Sequence, residues 1–234
     1  MDSLRKRVAM IAGCTLLLGA CQGPDYQAPP GTDGVAPLDL RVQGVVRSNG
    51  QVAQIEATLV DTAYRSLTGG DSLVLSAPDG ASRVLESSAA SDYVTSYVAQ
   101  ITTPSPTLTL ELVRRDGSRH PTTFTLPPGF TITAPSATSR STPMMATWEP
   151  DPSSPVTVSV ATSPPTCSVA GRGGSYASDP GSVTLQPADF ANVAGKCTVT
   201  ISVGREIKAT PNGKLGVGTV RLAQIRTLVL ETQP

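Results

Sequence analysis

Two residue types that often carry covalent or acid–base chemistry are rare in this 234-residue chain. It has four cysteines, at positions 14, 21, 167 and 197, and one histidine, His120. A hydrolytic triad needs a histidine as general base, but His120 lies in the turn-like stretch RRDGSRHPTT, where nothing orients or desolvates an imidazole. The G-x-S-x-G, H-E-x-x-H and C-x-x-C motifs do not occur. We therefore expect a protein that is not an enzyme and that holds no cofactor or metal.

The first 20 residues have the composition of an export signal. Three basic residues, Arg5, Lys6 and Arg7, precede an apolar run of 13 residues at positions 8–20. A helix that spans a bilayer needs about 20 apolar residues, so this run is too short to remain as a span. A basic start, a short apolar middle and small residues before a cleavage site predict a secretory signal peptide. No later stretch approaches 18 apolar residues, so we expect the rest of the chain to lie in water.

The end of this segment, Leu18-Gly19-Ala20-Cys21, resembles the bacterial lipobox, which has an aliphatic residue, two small residues and a cysteine. The resemblance implies that residues 1–20 are removed, that the Cys21 thiol is joined to diacylglycerol, and that the new amine is acylated by a fatty acid such as palmitate. Gln22, and not aspartate, follows the cysteine. In such lipoproteins this implies an outer-membrane position facing the periplasm or, alternatively, the cell surface. The competing interpretation is an ordinary signal with a chance cysteine.

Two cysteines then remain without a lipid. Cys14 lies in the removed segment and Cys21 takes the lipid, which leaves Cys167 and Cys197. In an oxidising compartment we expect these two to form a disulfide, worth about 3–4 kcal/mol in the chain-entropy model. A metal site is the competing interpretation, but His120 is distant in sequence and the chain has no further cysteine.

The body of the chain is predicted to be a spacer followed by two β-rich halves. Residues 21–37 comprise the lipidated cysteine and a segment dense in proline and glycine, which predicts a flexible linker. Short runs of alternating apolar and polar residues, rich in Thr and Val, then predict an all-β fold. About 200 residues is near twice the size of one β-sandwich, so we expect domain 1 over residues 38–127 and domain 2, with the disulfide, over residues 128–234.

Turn motifs and apolar runs place the predicted strands. Three motifs between apolar runs predict hairpins in the first half: Ser48-Asn49-Gly50-Gln51, Ala77-Pro78-Asp79-Gly80 and Arg115-Asp116-Gly117-Ser118. In the second half the predicted strands are MMATWE, VTVSVA, SVTLQ, CTVTISV and TVRLAQIRTLVLE. This rhythm of short strands is typical of immunoglobulin-like sandwiches.

Two stretches of the second half resemble known sandwich families. MMATWEP resembles the early strand of fibronectin type III domains, with Trp148 buried, and LQPADFANVAGKC resembles the turn before the second cysteine of immunoglobulin domains. Gly195 stands where the tyrosine corner of that family has Tyr, and Trp148 precedes Cys167 instead of following it. The resemblance implies tandem immunoglobulin-like sandwiches, as in uncharacterised bacterial lipoproteins, and implies neither strand order nor activity.

The candidate binding site is a glycine-rich loop beside the disulfide. It lies in PPTCSVAGRGGSYASDPG and comprises Gly171, Arg172, Gly173, Gly174, Ser175 and Tyr176. A loop pinned at Cys167 loses less entropy on contact with a partner. Two weaker candidates are a Ca²⁺ site at Glu149 and Asp151, where a solvated loop is favoured, and a sugar-stacking pair of Tyr93 and Tyr97, where cross-strand packing is favoured.

Together these features predict a non-enzymatic, membrane-anchored envelope lipoprotein that acts as a binding or structural module. Its expected partners are the bilayer, through acylated Cys21, and another envelope protein or polymer. The removed segment holds three of the 18 basic and one of the 18 acidic residues, so the mature chain has a net charge of −2. This balance argues against a nucleic-acid partner. The alternatives are a surface adhesin or carbohydrate-binding lipoprotein, and a hydrolase with an unrecognised site.

Overall fold

The computed structural model describes residues 29–91, 93–135, 138–163, 167, 173–190, 195–209 and 212–234. Within these ranges the chain is all-β, as predicted, with short 3-10 helices at Pro37–Asp39 and Pro187–Phe190. The signal peptide, the lipid-accepting Cys21, and Gly171 and Arg172 of the candidate loop lie outside the described residues. No helix in the described ranges is long and apolar enough to cross a membrane.

The first half of the chain contains the three predicted hairpins. Its strands are β1 (Arg41–Ser48), β2 (Val52–Val60), β3 (Tyr64–Arg65), β4 (Ser72–Ser76), β5 (Ser82–Val84), β6 (Glu86–Ser91), β7 (Val94–Thr102), β8 (Thr107–Val113) and β9 (Arg119–Thr125). β1 pairs with β2, β4 with β5 and β8 with β9, each across one of the predicted turns. Gly50 and Gly117 have positive φ angles, as hairpin turns of this kind require.

The second half places every predicted apolar run in a strand. Its strands are β10 (Ile132–Thr133), β11 (Thr138–Ser139), β12 (Met144–Trp148), β13 (Val156–Ser163), β14 (Gly174–Tyr176), β15 (Ser182–Leu185), β16 (Cys197–Ala209), β17 (Asn212–Gly213) and β18 (Gly216–Gln233). The last long strand, β18, has 18 residues and is about 60 Å long at the usual rise of a strand. It is long enough to serve both halves of the molecule.

Three sheets are formed by the described part of the chain. The large sheet has the order β14-β13-β16-β18-β1-β2-β7-β6, with β11 also paired to β18 and β3 to β2. A five-stranded sheet has the order β17-β9-β8-β4-β5, and a three-stranded sheet has the order β10-β12-β15. Neighbouring strands are antiparallel, except that β1 and β11 run parallel to β18. The pairing of β1 with β18 joins the first strand of the fold to the last.

Both smaller sheets pack against the same face of the large sheet. On β16 the side chains of Val199, Ile201 and Val203 belong to the core beneath the three-stranded sheet. Ile207 lies four positions after Val203, so its side chain points to the same face, and it packs against the core beneath the five-stranded sheet. On β18 the inward residues are Leu222 for the first core and Leu230 for the second. Successive side chains of a strand alternate between faces, so the two cores share one face and the opposite face of these strands stays open.

The two cores do not divide at the predicted boundary between residues 127 and 128. The first core lies between the large and five-stranded sheets, and it takes Leu215, Val220 and Leu222 from the end of the chain as well as residues of the first half. The second core lies between the large and three-stranded sheets and begins at Phe130. The sequence-based division therefore differs from the structure because β16 and β18 run across both cores.

The predicted flexible linker ends earlier than expected. The prediction extends the linker to residue 37. In the structure, however, the Ser66 N–H donates to the Pro30 carbonyl, and the Ser66 carbonyl accepts a hydrogen bond from the Thr32 N–H. The Thr32 hydroxyl, which is buried, donates to Asp71 Oδ2 at 2.8 Å. Proline and glycine content predicted a spacer, but these nonlocal hydrogen bonds attach residues 30–35 to the first core.

A shared strand predicts that the two cores unfold together. We expect Leu222→Ala, in the first core, to destabilise the protein by about 2–5 kcal/mol because it removes a fully buried side chain. The urea midpoint followed by fluorescence of the sole tryptophan, Trp148, should fall as well, although Trp148 lies in the second core.

The matched control is Val229→Ala on the same strand, where the side chain is 58% exposed and the change should stay within about 0.5 kcal/mol. Independent unfolding of the cores would give a different result in Leu222→Ala. The urea midpoint from Trp148 fluorescence would then equal that of the wild type, while circular dichroism would show an additional transition at lower urea.

Candidate functional site

The open face of the large sheet carries a groove of about 540 Å³ beside the edge strand β14. Its polar lining comes from four strands: Thr157 of β13, Ser175 and Tyr176 of β14, Glu206 and Lys208 of β16, and Arg221 of β18. A second depression of about 270 Å³ continues across the sheet and shares Thr157 and Glu206 with the groove. Four strands from distant parts of the sequence therefore build one concave surface.

The register of β16 and β18 determines where the charged side chains of the groove lie. Lys208 lies directly opposite Arg221, and Glu206 lies opposite Ala223. Like charges in opposite positions repel, and Arg221 turns to Glu206, with Nη1 3.5 Å from Oε1. Both members of this ion pair are exposed, so it contributes little to stability. The result is two cations and one carboxylate that are available to a ligand.

The candidate loop predicted from the sequence is partly a strand. Gly174, Ser175 and Tyr176 form β14 and pair with residues 156–158 of β13, so the prediction of a loop is wrong for these three residues. The Ser175 and Thr157 hydroxyl oxygens lie 3.3 Å apart. Gly173 precedes the strand with φ +151°, and a Cβ there would lie 2.7 Å from the Val158 carbonyl oxygen. Edge pairing to β13 thus fixes a stretch whose glycines had suggested an irregular loop.

A buried ion pair supports the groove from beneath. Arg205, next to Glu206 on β16, points inward, and its Nε donates to Asp179 Oδ2 at 3.0 Å. Arg205 Nη2 also donates to the Glu149 carbonyl. The guanidinium lies over the Phe130 ring, with Cζ 4.2 Å from the ring centroid. Both charged groups are buried, so the pair is costly to break and holds the sheet above it in place.

Asp179 is held ionised by the groups around it. Burial by itself would raise the pKa of this carboxyl, but hydrogen bonds from the Gly181 and Asp151 N–H groups, the Trp148 indole and Arg205 lower it below the usual value. The Trp148 Nε1–H donates to Oδ1 at 2.6 Å. The predicted burial of Trp148 is confirmed, and its polar atom is satisfied by Asp179.

The predicted disulfide between Cys167 and Cys197 is present, with the two Cα atoms 5.9 Å apart. Both cysteines are buried, and β16 begins at Cys197. Arg140, also buried, donates from Nη1 to Cys197 Sγ at 2.9 Å and from Nη2 to the Gly195 carbonyl at 2.5 Å. The bridge therefore closes the end of the second core that lies farthest from β1.

The other residues singled out in the sequence do not form a site together. His120 lies at the start of β9, where its Nε2 is 3.2 Å from the hydroxyl oxygen of Ser118 in an exposed turn. Tyr97 is buried and its hydroxyl accepts the Leu67 N–H at 2.6 Å, so it cannot form an aromatic platform with Tyr93. Asp151 accepts hydrogen bonds from the backbone and hydroxyl of Ser153.

Within the described ranges no group of three or more His, Cys, Asp or Glu side chains is placed to hold a metal ion. The Asp151 carboxylate instead closes its own turn, which lowers its pKa through the hydroxyls of Ser153 and Ser154 and the Ser153 N–H.

Sequence reasoning did not find the groove residues on β16 and β18. Arg221 lies in the predicted strand TVRLAQIRTLVLE, whereas Glu206 and Lys208 follow the predicted strand CTVTISV, and the sequence-based prediction gives none of the three a further role. The alternation of GREIKA offered a signal, because charged residues at every second position of a strand mark its solvent face. They line the same groove as Tyr176 because β14 pairs with β13, β13 with β16 and β16 with β18.

The fold and groove define an all-β protein of packed sheets with an open, polar concavity. No protein-family model matches the chain, and the comparison with curated proteins also gives no match. Among solved structures it is similar to the native conformation of E. coli alpha-2-macroglobulin, determined by cryo-EM, with 10% sequence identity and a TM-score of 0.25. That match covers 86% of this chain and 14% of the other, so this chain spans only a small part of that protein's length.

The buried ion pair makes the second core sensitive to charge removal. We expect Asp179→Asn to destabilise the protein by about 3–5 kcal/mol at pH 7, because it leaves the buried Arg205 guanidinium without its counter-charge. The folded-state pKa of Asp179 is lowered. Its stabilising contribution is therefore fully present above the unfolded pKa of about 4 and is lost as the pH falls through the folded value.

Urea unfolding at pH 7 and at pH 3 measures both effects, and the gap between wild type and Asp179→Asn should narrow at the lower pH. Ser202→Ala, on the open face of β16, is the control and should behave as wild type at both pH values. A constant gap would show that Asp179 does not act through its charge.

Proposed function

We propose that the protein is a lipid-anchored, non-enzymatic module of the bacterial envelope that binds another envelope component through the groove beside β14. The lipobox-like sequence that ends in Cys21 supports the anchor. The membrane is proposed to be the outer membrane, with the protein facing the periplasm or, alternatively, the cell surface. The expected ligand is a segment of another envelope protein or polymer.

The observation that carries this proposal is the grouping of Tyr176 with Lys208, Arg221 and Glu206 around one open concavity. Tyrosine and arginine are enriched among the residues that dominate binding energy at interfaces. Tyr176 is 39% exposed, so its ring has free area to offer. The cations and the carboxylate supply hydrogen bonds that fix the orientation of a polar or charged partner.

An extended peptide suits the groove better than a sugar. β14 is one of the two edge strands in the main order of the large sheet in the described part of the chain, and all three of its residues are exposed. Edge strands offer unpaired backbone N–H and C=O groups to which an incoming strand can add. Stacking on sugars favours a broader aromatic surface, and the Tyr93 and Tyr97 pair predicted as an alternative does not form one.

The anchor is tested by Cys21→Ser. Only a thiol forms the thioether to diacylglycerol, so we expect this variant to lose acylation and to leave either unprocessed precursor or protein released from the membrane. Mass spectrometry of the mature N-terminus and membrane fractionation measure both results. Cys14→Ser, which changes the other cysteine of the same segment, is the control and should leave acylation intact. Wild-type protein found wholly in the soluble fraction would overturn the anchor.

The groove is tested by photo-crosslinking in native membranes. A photoreactive side chain introduced at Ser175, on the groove wall, should give a discrete adduct with the partner. We expect Tyr176→Ala to reduce the adduct about tenfold, as the loss of an aromatic contact residue of about 1.4 kcal/mol would do. Circular dichroism should be unchanged, because Tyr176 is exposed at a sheet edge.

Two control variants lie away from the groove. Val84→Ala, on the exposed edge strand β5, and His120→Ala, on β9, should leave the adduct unchanged. An adduct that survives Tyr176→Ala, or that disappears equally in both controls, would refute binding at the groove. Loss of a measurable enzymatic activity in His120→Ala would refute the non-enzymatic part of the proposal.

A further inference from the structure

One end of the first core lies next to the point where the chain enters the described structure. We call it the anchor end. It consists of residues 30–40, the start of β1, the end of β2, β3 and the start of β7. Arg41 pairs with Val60, and Val60 with Tyr64. The Ser66 and Thr95 hydroxyl oxygens, at the β3 and β7 sides, are 2.8 Å apart. These contacts gather the four elements at one end of the large sheet.

The anchor end exposes large apolar side chains. Leu38 is 71% exposed on the 3-10 helix Pro37–Asp39, Tyr64 is 42% exposed on β3, and Tyr93 is 58% exposed just before β7. They are three of the seven large hydrophobic side chains exposed in the described ranges. One leucine and two tyrosines exposed at the same end of a sheet have the composition of a surface that enters the boundary between lipid headgroups and acyl chains, where the tyrosine hydroxyl stays hydrated.

The proposed lipid attachment lies close to this end. Only residues 22–28 separate Cys21 from Pro29, the first described residue. Fully extended, this connection spans at most about 28 Å. The end of the molecule that carries Pro30 is therefore the part that the tether holds nearest to a membrane.

Charge does not explain what this end would contact. Arg65 is paired with Asp61 at 2.6 Å, and Arg114 with Asp71 at 3.2 Å. Arg41, which is exposed, is accompanied by the exposed Asp33 and Asp39, so this end has no polybasic patch of the kind that attracts anionic lipids. The attraction available to this surface is the burial of apolar side chains, which a bilayer interface can supply.

We propose that the anchor end rests on the lipid bilayer, with Leu38, Tyr64 and Tyr93 in the membrane interface. The inference depends on the lipid attachment at Cys21 stated under the proposed function. β18 begins at Gly216, beside Arg41 at the anchor end, and runs toward the disulfide end. Docking of the anchor end therefore directs this strand away from the membrane and places Val229 about 40 Å farther along it.

The test uses the mature lipidated protein reconstituted in vesicles of phosphatidylethanolamine and phosphatidylglycerol that contain nitroxide-labelled lipids. The same thiol-linked fluorophore is attached to each of three variants, Leu38→Cys, Tyr64→Cys and Val229→Cys. The introduced cysteine is labelled selectively because Cys21 is acylated and Cys167 and Cys197 form a disulfide. The three positions are exposed, so the fold tolerates the label. We expect quenching at positions 38 and 64 to exceed that at position 229 at least about fivefold, and to persist at high salt.

Each other outcome overturns the inference. Acylated protein with no quenching at positions 38 and 64 would show that the anchor end does not touch lipid. Equal quenching at all three positions would show that the tether leaves the orientation free. Quenching that vanishes at high salt would assign the contact to charge instead of apolar burial. Failure of Cys21 to become acylated is seen separately by mass spectrometry, and it refutes the anchor itself.

Discussion

The pairing of β16 with β18 is the interaction on which the rest of the structure depends. All 13 residues of β16 pair in continuous register with one edge of β18, and β1 pairs with the other edge of β18. A long antiparallel ribbon is not stable alone in water and must bury one face. The two smaller sheets bury that face at its two ends, which turns a pair of sandwiches into one connected body.

The same alternation that buries one face of the ribbon creates the groove on the other. Arg205 points into the second core and meets Asp179, whereas Glu206, one residue later, points into the groove. A slip of one residue in this register would bury Glu206 and expose Arg205. The buried ion pair therefore penalises the wrong register, because an unpaired carboxylate would be left in the core. Core and groove are two consequences of a single register.

What the sequence predicts well is local. The Asn49-Gly50 hairpin, the strand runs and the Cys167–Cys197 bridge follow from turn chemistry, from alternation and from cysteine number, which need no knowledge of distant contacts. The parallel pairing of β1 with β18 could not be predicted, since it joins residues about 175 positions apart and leaves no local signal. Tyr176 is a candidate from the sequence, but Lys208 and Arg221 join it in the groove only through the pairing of β13 with β16 and of β16 with β18, which leave no local signal either.

The position of the groove constrains how a partner reaches it. The glycine-rich loop beside the disulfide is the recognition surface predicted from the sequence, and its residues Ser175 and Tyr176 line the groove from β14. The rest of the groove lies on the sheet face, where β16 and β18 carry Lys208 opposite Arg221, between the anchor end and the disulfide end. With the anchor end on lipid, this face stands beside the long axis of β18. In the proposed anchored state, a partner that occupies the groove would approach from the side, at a height set by the length of β18, and the proposed tether would raise its effective concentration near the same membrane.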